Sequence, residues 1–277
     1  MSKSVNEIKR EIALNIKSLL GSAALVLAAC GGGGGSPGTC SASPQTCAAI
    51  AGGSSGGGLV TGSPAGLFHG TTGTGRTASA LVLEGGDFWV LYGPVGSSNL
   101  IDGAQQGHAS FSNGTFTSAD VRDFSLETGA VSAGSATGTY VPKSSIAATV
   151  DFGAAPVTLS ANYDPDYELQ ATLAMIAGSY SGTAVVVGGF DNAAMTILPT
   201  GAITGTSQPG CSFSGNIVPH TGVNSYGVNL TFAGGTCANE FSTLTGIAYR
   251  DAATNRVYSA TVNPARTNGF IFAGGKL

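Results

Sequence analysis

The chain reads as an all-β protein: two tandem small antiparallel barrels of the up-and-down kind, about eight strands each, following a disordered Gly/Ser tether. Three observations predict this. From residue 66 onward, short apolar or alternating runs are cut by Gly, Asn and Pro at close intervals, the pattern of strands joined by tight turns. The turn chemistry is specific, with Glu84-Gly85-Gly86-Asp87 and Ser112-Asn113-Gly114-Thr115 both suited to hairpins. Finally, the run Gly66-Leu67-Phe68-His69-Gly70-Thr71 returns as Gly178-Ser179-Tyr180-Ser181-Gly182-Thr183, and Ser110-Phe111-Ser112 returns as Ser212-Phe213-Ser214. Two diverged copies of a unit of about 100 residues explain that echo, and closure into barrels removes exposed strand edges.

In chain order, the first half (66–163) offers strands at 67–71, 77–83, 88–92, 108–112, 115–124, 136–141, 146–152 and 157–163. A helical signal follows over 164–177. Asp164 can cap, Pro165 suits the first helical position, and Leu169, Leu173 and Ile176 share a face before Gly178. This predicts a linker helix sealing one end of a barrel. The second half (178–277) offers strands at 179–187, 194–198, 202–206, 212–219, 226–232, 243–250, 257–263 and 269–273.

Composition restricts function. Charged residues make up 9% of the chain, far below the ordinary quarter, so Ser, Thr and Asn must carry solubility. The formal net charge is −4, and Arg76, Arg122, Lys143, Arg250, Arg256, Arg266 and Lys276 lie far apart in sequence. Nucleic acid is therefore not an expected partner, since phosphate binding needs clustered positive charge.

The N-terminal 29 residues have a charged start with Lys3, Lys9, Arg10 and Lys17, then an apolar run ending in Leu25-Val26-Leu27. That is the form of a secretory signal, too short to span a bilayer of roughly 30 Å. It ends in Leu27-Ala28-Ala29-Cys30, which resembles the lipobox of bacterial lipoproteins, and five glycines follow. The resemblance implies cleavage before Cys30, lipidation of Cys30, and a membrane partner through its acyl chains of the palmitate type. At about 0.8 kcal/mol per buried CH₂, two or three chains anchor firmly. Gly31 in the next position implies the outer membrane, facing either the periplasm or the cell surface. Residues 30–65, rich in Gly, Ser, Pro and Ala, cannot bury enough apolar surface to order themselves and read as a flexible tether. Within it Gly52-Gly53-Ser54-Ser55-Gly56 fits the G-x-S-x-G spelling of a nucleophile elbow, but the flanking strand and helix which that elbow needs are missing.

Of the five cysteines, lipidation would use one. Cys40, Cys47, Cys211 and Cys237 allow three pairings in an oxidising compartment; proximity favours Cys40 with Cys47 and Cys211 with Cys237. No His stands near either pair and the spacings are not those of zinc sites, so neither metal nor cofactor is expected.

The opening G-x-aromatic-x-G, the strand count and Gly201-Ala202-Ile203-Thr204-Gly205-Thr206 resemble the first hairpin of lipocalin- and avidin-type barrels. Together with the anchor and tether, the plan is similar to that of transferrin-binding-protein-like surface lipoproteins. Phe68 and Tyr180 stand where a lipocalin has Trp, and Trp89 is the single tryptophan of the chain. The resemblance therefore implies an architecture and no ligand.

Catalytic patterns are sparse. His69, His108 and His220 form no H-x-H or H-E-x-x-H arrangement and read as surface groups. Asp164, Asp166 and Glu168 could hold Ca²⁺, yet negative charge at a helix start accounts for the first two. Asp120 and Asp123, three positions apart, would face opposite sides of a strand. Phe88, Trp89 and Tyr92 are the candidate ligand-binding residues, with Phe88 and Tyr92 on one face and Trp89 on the other. The expected function is non-enzymatic binding of a partner protein or a small apolar ligand. The alternatives are an adhesin-like structural protein, disfavoured by the lack of a short repeat, and a secreted hydrolase, which needs acid, base and nucleophile converging in a cleft and which a His220 bonded to both a serine and a carboxylate would support.

Overall fold

The computed structural model describes residues 62–97, 100–207 and 210–277. They form two closed antiparallel barrels. The first contains β1 (Gly66–Thr72), β2 (Thr77–Val82), β3 (Asp87–Tyr92), β4 (Gly103–His108), β5 (Ser110–Ser112), β6 (Thr115–Ser125), β7 (Ala130–Val141), β8 (Ser145–Asp151) and β9 (Val157–Asp164). β4 and β5 both pair with β6 and together fill one of eight strand positions. A bulge in β6 between Ser118 and Val121 lies beside the break between them, as expected where one strand must bend to follow two. β1 closes the ring by pairing with β9. The second barrel runs β10 (Gly178–Val186), β11 (Gly189–Ile197), β12 (Ala202–Ser207), β13 (Cys211–Pro219), β14 (Tyr226–Phe232), β15 (Thr243–Asp251), β16 (Arg256–Val262) and β17 (Gly269–Lys276), with β10 pairing with β17.

The recurring motif has a steric meaning. Phe68 and Tyr180 are fully buried, one in each barrel core. Gly70 and Gly182 lie on the closing seams, where a Cβ would be driven into the carbonyl oxygens of Ser160 and Ala273 respectively. Each first strand thus carries an aromatic plug and, two residues on, a glycine that lets the last strand come close. The second echo also occupies equivalent places: Phe111 and Phe213 both lie in the fourth strand position.

Two strands begin earlier than their sequence pattern predicts, at Gly103 rather than 108 and at Ala130 rather than 136. Gly103-Ala104-Gln105-Gln106-Gly107 shows no alternation because its glycines lie opposite Tyr92 and Phe88 and leave room for those rings. The single helix expected over 164–177 is instead two separate turns. Asp164 Oδ1 accepts the Asp166 N–H at 2.9 Å and starts a 3-10 turn, Pro165–Glu168; the chain then extends until Thr172 caps α1 (Leu173–Ile176). The break lets backbone groups bond to the second barrel. Asn224 N–H donates to Tyr167 O at 2.8 Å, Ala171 N–H to Val223 O at 3.1 Å, and the Tyr180 hydroxyl to Ile176 O at 2.6 Å. Ile176 is completely buried in that barrel's core.

Each barrel has its own core, and a third apolar cluster joins them. It unites Leu67, Leu81, Trp89 and Leu91 of the first barrel with Val185, Ile247, Tyr249, Ala260 and Ile271 of the second. Phe88-Trp89-Val90-Leu91-Tyr92 and Phe270-Ile271-Phe272 are continuous apolar runs because both faces of these strands are covered. At the rim of the junction Arg266, with φ of +54°, bonds the Asp120 carboxylate, Asp120 O at 2.9 Å and Gln106 O at 2.8 Å. The bulge in β6 presents the two Asp120 acceptors, and β4 supplies the third.

Candidate functional site

The candidate ligand residues separate by strand parity. Phe88 and Tyr92 enter the first barrel, whereas Trp89 points outward into the junction cluster. Trp89 therefore does not line the barrel interior. That interior keeps an apolar cavity of about 40 Å³, lined by Val82, Phe88, Val90, Phe116 and Ile146 with Gln105 as a polar group. Small-molecule sites span roughly 300–1,000 Å³, so this space suits one or two atoms rather than a lipid. One end is closed by polar groups. The Tyr92 hydroxyl donates to Asp123 Oδ1 at 2.9 Å, and burial holds both the Tyr92 phenol and the Asp123 carboxyl above their ordinary values. Arg76 lies over the Tyr92 ring at 5.6 Å and pairs with Asp102 and Glu127. Asp120 faces the second barrel and Asp123 the interior, the opposite faces that their spacing predicts. The second barrel is filled by rings: Phe213, Phe232 and Phe270 approach one another at 5.1–5.4 Å.

A cleft of about 230 Å³ opens beside the junction cluster. The first barrel contributes His69, Ser79, Leu91, Leu100 and Ile101, and the second Tyr249, Asp251 and Tyr258. His69 and Ser79 are directly opposite on β1 and β2; Asp164 lies at the end of β9, opposite Leu67. His69 Nε2 is 3.0 Å from Asp164 Oδ2, and Nδ1 is 2.8 Å from Ser79 Oγ. A carboxylate only accepts, so Nε2 carries the proton and Nδ1 accepts the serine hydroxyl. From the second barrel, the Tyr249 ring lies 6.4 Å from the His69 ring. Tyr249 is wholly buried, which raises its phenol far above the ordinary value, and it stacks on Tyr258 at 5.1 Å.

The histidine expected to mark a hydrolase, His220, bonds Ser225 Oγ at 2.7 Å; among the described residues it has no carboxylate partner. His69 holds that arrangement instead. Burial lowers the His220 pKa from 6.5. The unfolded chain then binds more protons, so stability falls as pH drops through 6.5 toward the folded value. Urea midpoints at pH 7.5 and 5.5 should therefore converge in His220→Gln relative to the unsubstituted protein.

The acidic cluster 164–168 is a cap with local pairs. Lys143 Nζ at 2.7 Å and the Tyr163 hydroxyl at 2.6 Å bond Glu168 Oε1 and hold that carboxyl below the usual range, the lysine contributing most. Among the described residues, no group of three or more His, Cys, Asp or Glu could hold a metal ion, and no helix is long and apolar enough to cross a membrane.

Cys211 and Cys237 are joined, as proximity favours; Cys30, Cys40 and Cys47 lie outside the described residues. The bridge ties the 233–242 loop to β13. Buried Asn239 donates from Nδ2 to Gly269 O at 3.2 Å, and Gly235 N–H donates to Glu240 Oε1 at 2.9 Å. Phe241 in this loop has φ of +55° and is 76% exposed, an uncommon backbone state for a bulky residue. Sequence reading passed over it because the loop is short, Gly-rich and without pattern.

No family model matches the chain. No curated protein matches it either. Among solved structures it is similar to isotype 1 transferrin binding protein B of serogroup B Neisseria meningitidis, with 10% identity and a TM-score of 0.29, covering 73% of this chain and 58% of that one. The chain therefore spans less than two thirds of that protein. It is also similar to a DUF3598-family protein of unknown function from Nostoc punctiforme, with 10% identity and a TM-score of 0.24, covering 76% and 94% of the two chains.

Proposed function

We propose that the chain is an acyl-anchored envelope protein that binds a protein partner through the outside of its second barrel, with the 233–242 loop at the centre of the contact. Phe241 carries this reading. A large apolar ring is held in solvent in a left-handed backbone conformation, on a loop fixed by a disulfide and a buried asparagine. Backbone strain of that kind costs about 1–3 kcal/mol and collects at recognition sites, and a pre-organised aromatic knob loses little entropy on docking. The loop contains Glu240 and no Lys or Arg, so it lacks the positive charge that draws proteins to anionic lipid. The filled barrels support exterior recognition over an enclosed apolar ligand.

The test places photoreactive p-benzoylphenylalanine at position 241 of the full chain in its host. A discrete light-dependent adduct with another protein is expected, absent when the same group replaces Val141 on the first barrel and lost in the Cys211→Ala/Cys237→Ala pair. No adduct, or the same adduct from both positions, contradicts the proposal. The double cysteine variant should also lose about 3–4 kcal/mol of stability by the loop-closure estimate, measurable by urea unfolding. The anchor is checked separately by mass spectrometry of the mature N-terminus, which should begin at an acylated Cys30.

A further inference from the structure

We propose that Ser79 is a nucleophile, with His69 as its base and Asp164 as the positioning residue for His69, giving the junction cleft an acyl-transfer activity on small esters. A serine and histidine opposite each other on neighbouring strands could serve the sheet alone. Two features go beyond that. The remaining nitrogen of His69 is engaged by a carboxylate that is itself immobilised, because Asp164 Oδ1 accepts the Asp166 N–H at 2.9 Å while Oδ2 takes the histidine at 3.0 Å. The serine also faces a cleft rather than open solvent, and a second barrel forms its other wall. Nucleophile to base to orienting group is the recurrent geometry of activated serine, recognised by arrangement and not by position in sequence.

The step balances with water as the second reactant. Ser79 Oγ attacks the ester carbonyl as its proton passes to His69 Nδ1. The C–O bond to the alcohol then breaks, and the alcohol leaves with that proton. Water, deprotonated by Nδ1, attacks the acyl-serine, and the proton returns to Oγ as the acid departs. The cleft measures about 230 Å³, has Leu91, Leu100 and Ile101 on one side, and carries Asp251 with no Lys or Arg in its lining. Those features select a short, neutral acyl group and disfavour acids.

The experiment treats the full chain with a fluorophosphonate, which phosphonylates activated serines, and follows intact mass and peptide mapping. One adduct on Ser79 is expected, absent from Ser79→Ala, whose fold is verified by far-UV circular dichroism and Trp89 emission. His69→Gln should slow labelling about 100-fold or more, the usual contribution of a general base. Asp164→Asn should change the pH profile of the labelling rate, which a merely structural role would not do. An adduct that persists in Ser79→Ala, equal labelling in His69→Gln, or no adduct at all would overturn the assignment and leave a cross-strand polar pair. None of these outcomes bears on the Phe241 contact, which lies on a different loop.

Discussion

Replacing Trp89 with alanine should cost about 3–5 kcal/mol and separate one unfolding transition into two. The magnitude is that of deleting a large buried aromatic side chain and leaving a cavity, and Trp89 is only 5% exposed. The separation follows from where the residue lies. Its ring belongs to the cluster shared by the barrels and not to either barrel's own core, so its loss removes coupling while leaving each ring of strands closed. Urea unfolding followed by circular dichroism should be a single transition in the unsubstituted protein and biphasic in Trp89→Ala. A loss under about 1 kcal/mol with cooperativity intact would mean that the barrels are joined in some other way. Such losses are large against a total stability of about 5–15 kcal/mol.

Gly182→Val should be equally severe, for a different reason. At this seam the added side chain meets the carbonyl oxygen of Ala273 and the Cα of Gly274, both backbone atoms of β17. Backbone cannot relieve the clash by a rotamer change, so β10 and β17 must part and the second barrel opens. Overpacking typically costs about 1–3 kcal/mol where neighbours can adjust; at a rigid closing strand the expected loss is about 3 kcal/mol or more. Gly275→Ala is the matched control. A Cβ there meets nothing within 4 Å, and its thermal midpoint should stay close to that of the unsubstituted protein.

Much of this architecture is visible in the residues alone. Turn chemistry and spacing locate most strands of both barrels, and the repeated G-x-aromatic-x-G-T marks the two opening strands. What escapes is whatever depends on register or on the far side of a strand. Gln105 and Gln106 look like loop because the apolar side chains that pack near them come from the partner strand. The linker appears as one helix because Leu169, Leu173 and Ile176 have helical spacing, yet its backbone breaks to bond Val223 and Asn224. The Trp89 side of β3 is visibly apolar, but no local pattern says that a second barrel covers it. His69, Ser79 and Asp164 meet only because β2, β1 and β9 are neighbours across 95 residues of chain. Nothing in the spelling of any one strand announces that convergence. Phe241 is similarly silent: its significance lies in exposure and backbone angle, and both are properties of the stapled loop.

Exterior recognition through Phe241 requires that neither barrel enclose an apolar ligand. It is tested most directly by titrating the protein with a fluorescent apolar probe such as N-phenyl-1-naphthylamine in competition with a long-chain fatty acid. An interior limited to about 40 Å³ predicts no saturable emission change and no displacement. Stoichiometric binding that the fatty acid displaces, and that Ala136→Trp abolishes by filling the first barrel, would contradict the account and return the binding site to the barrel interior.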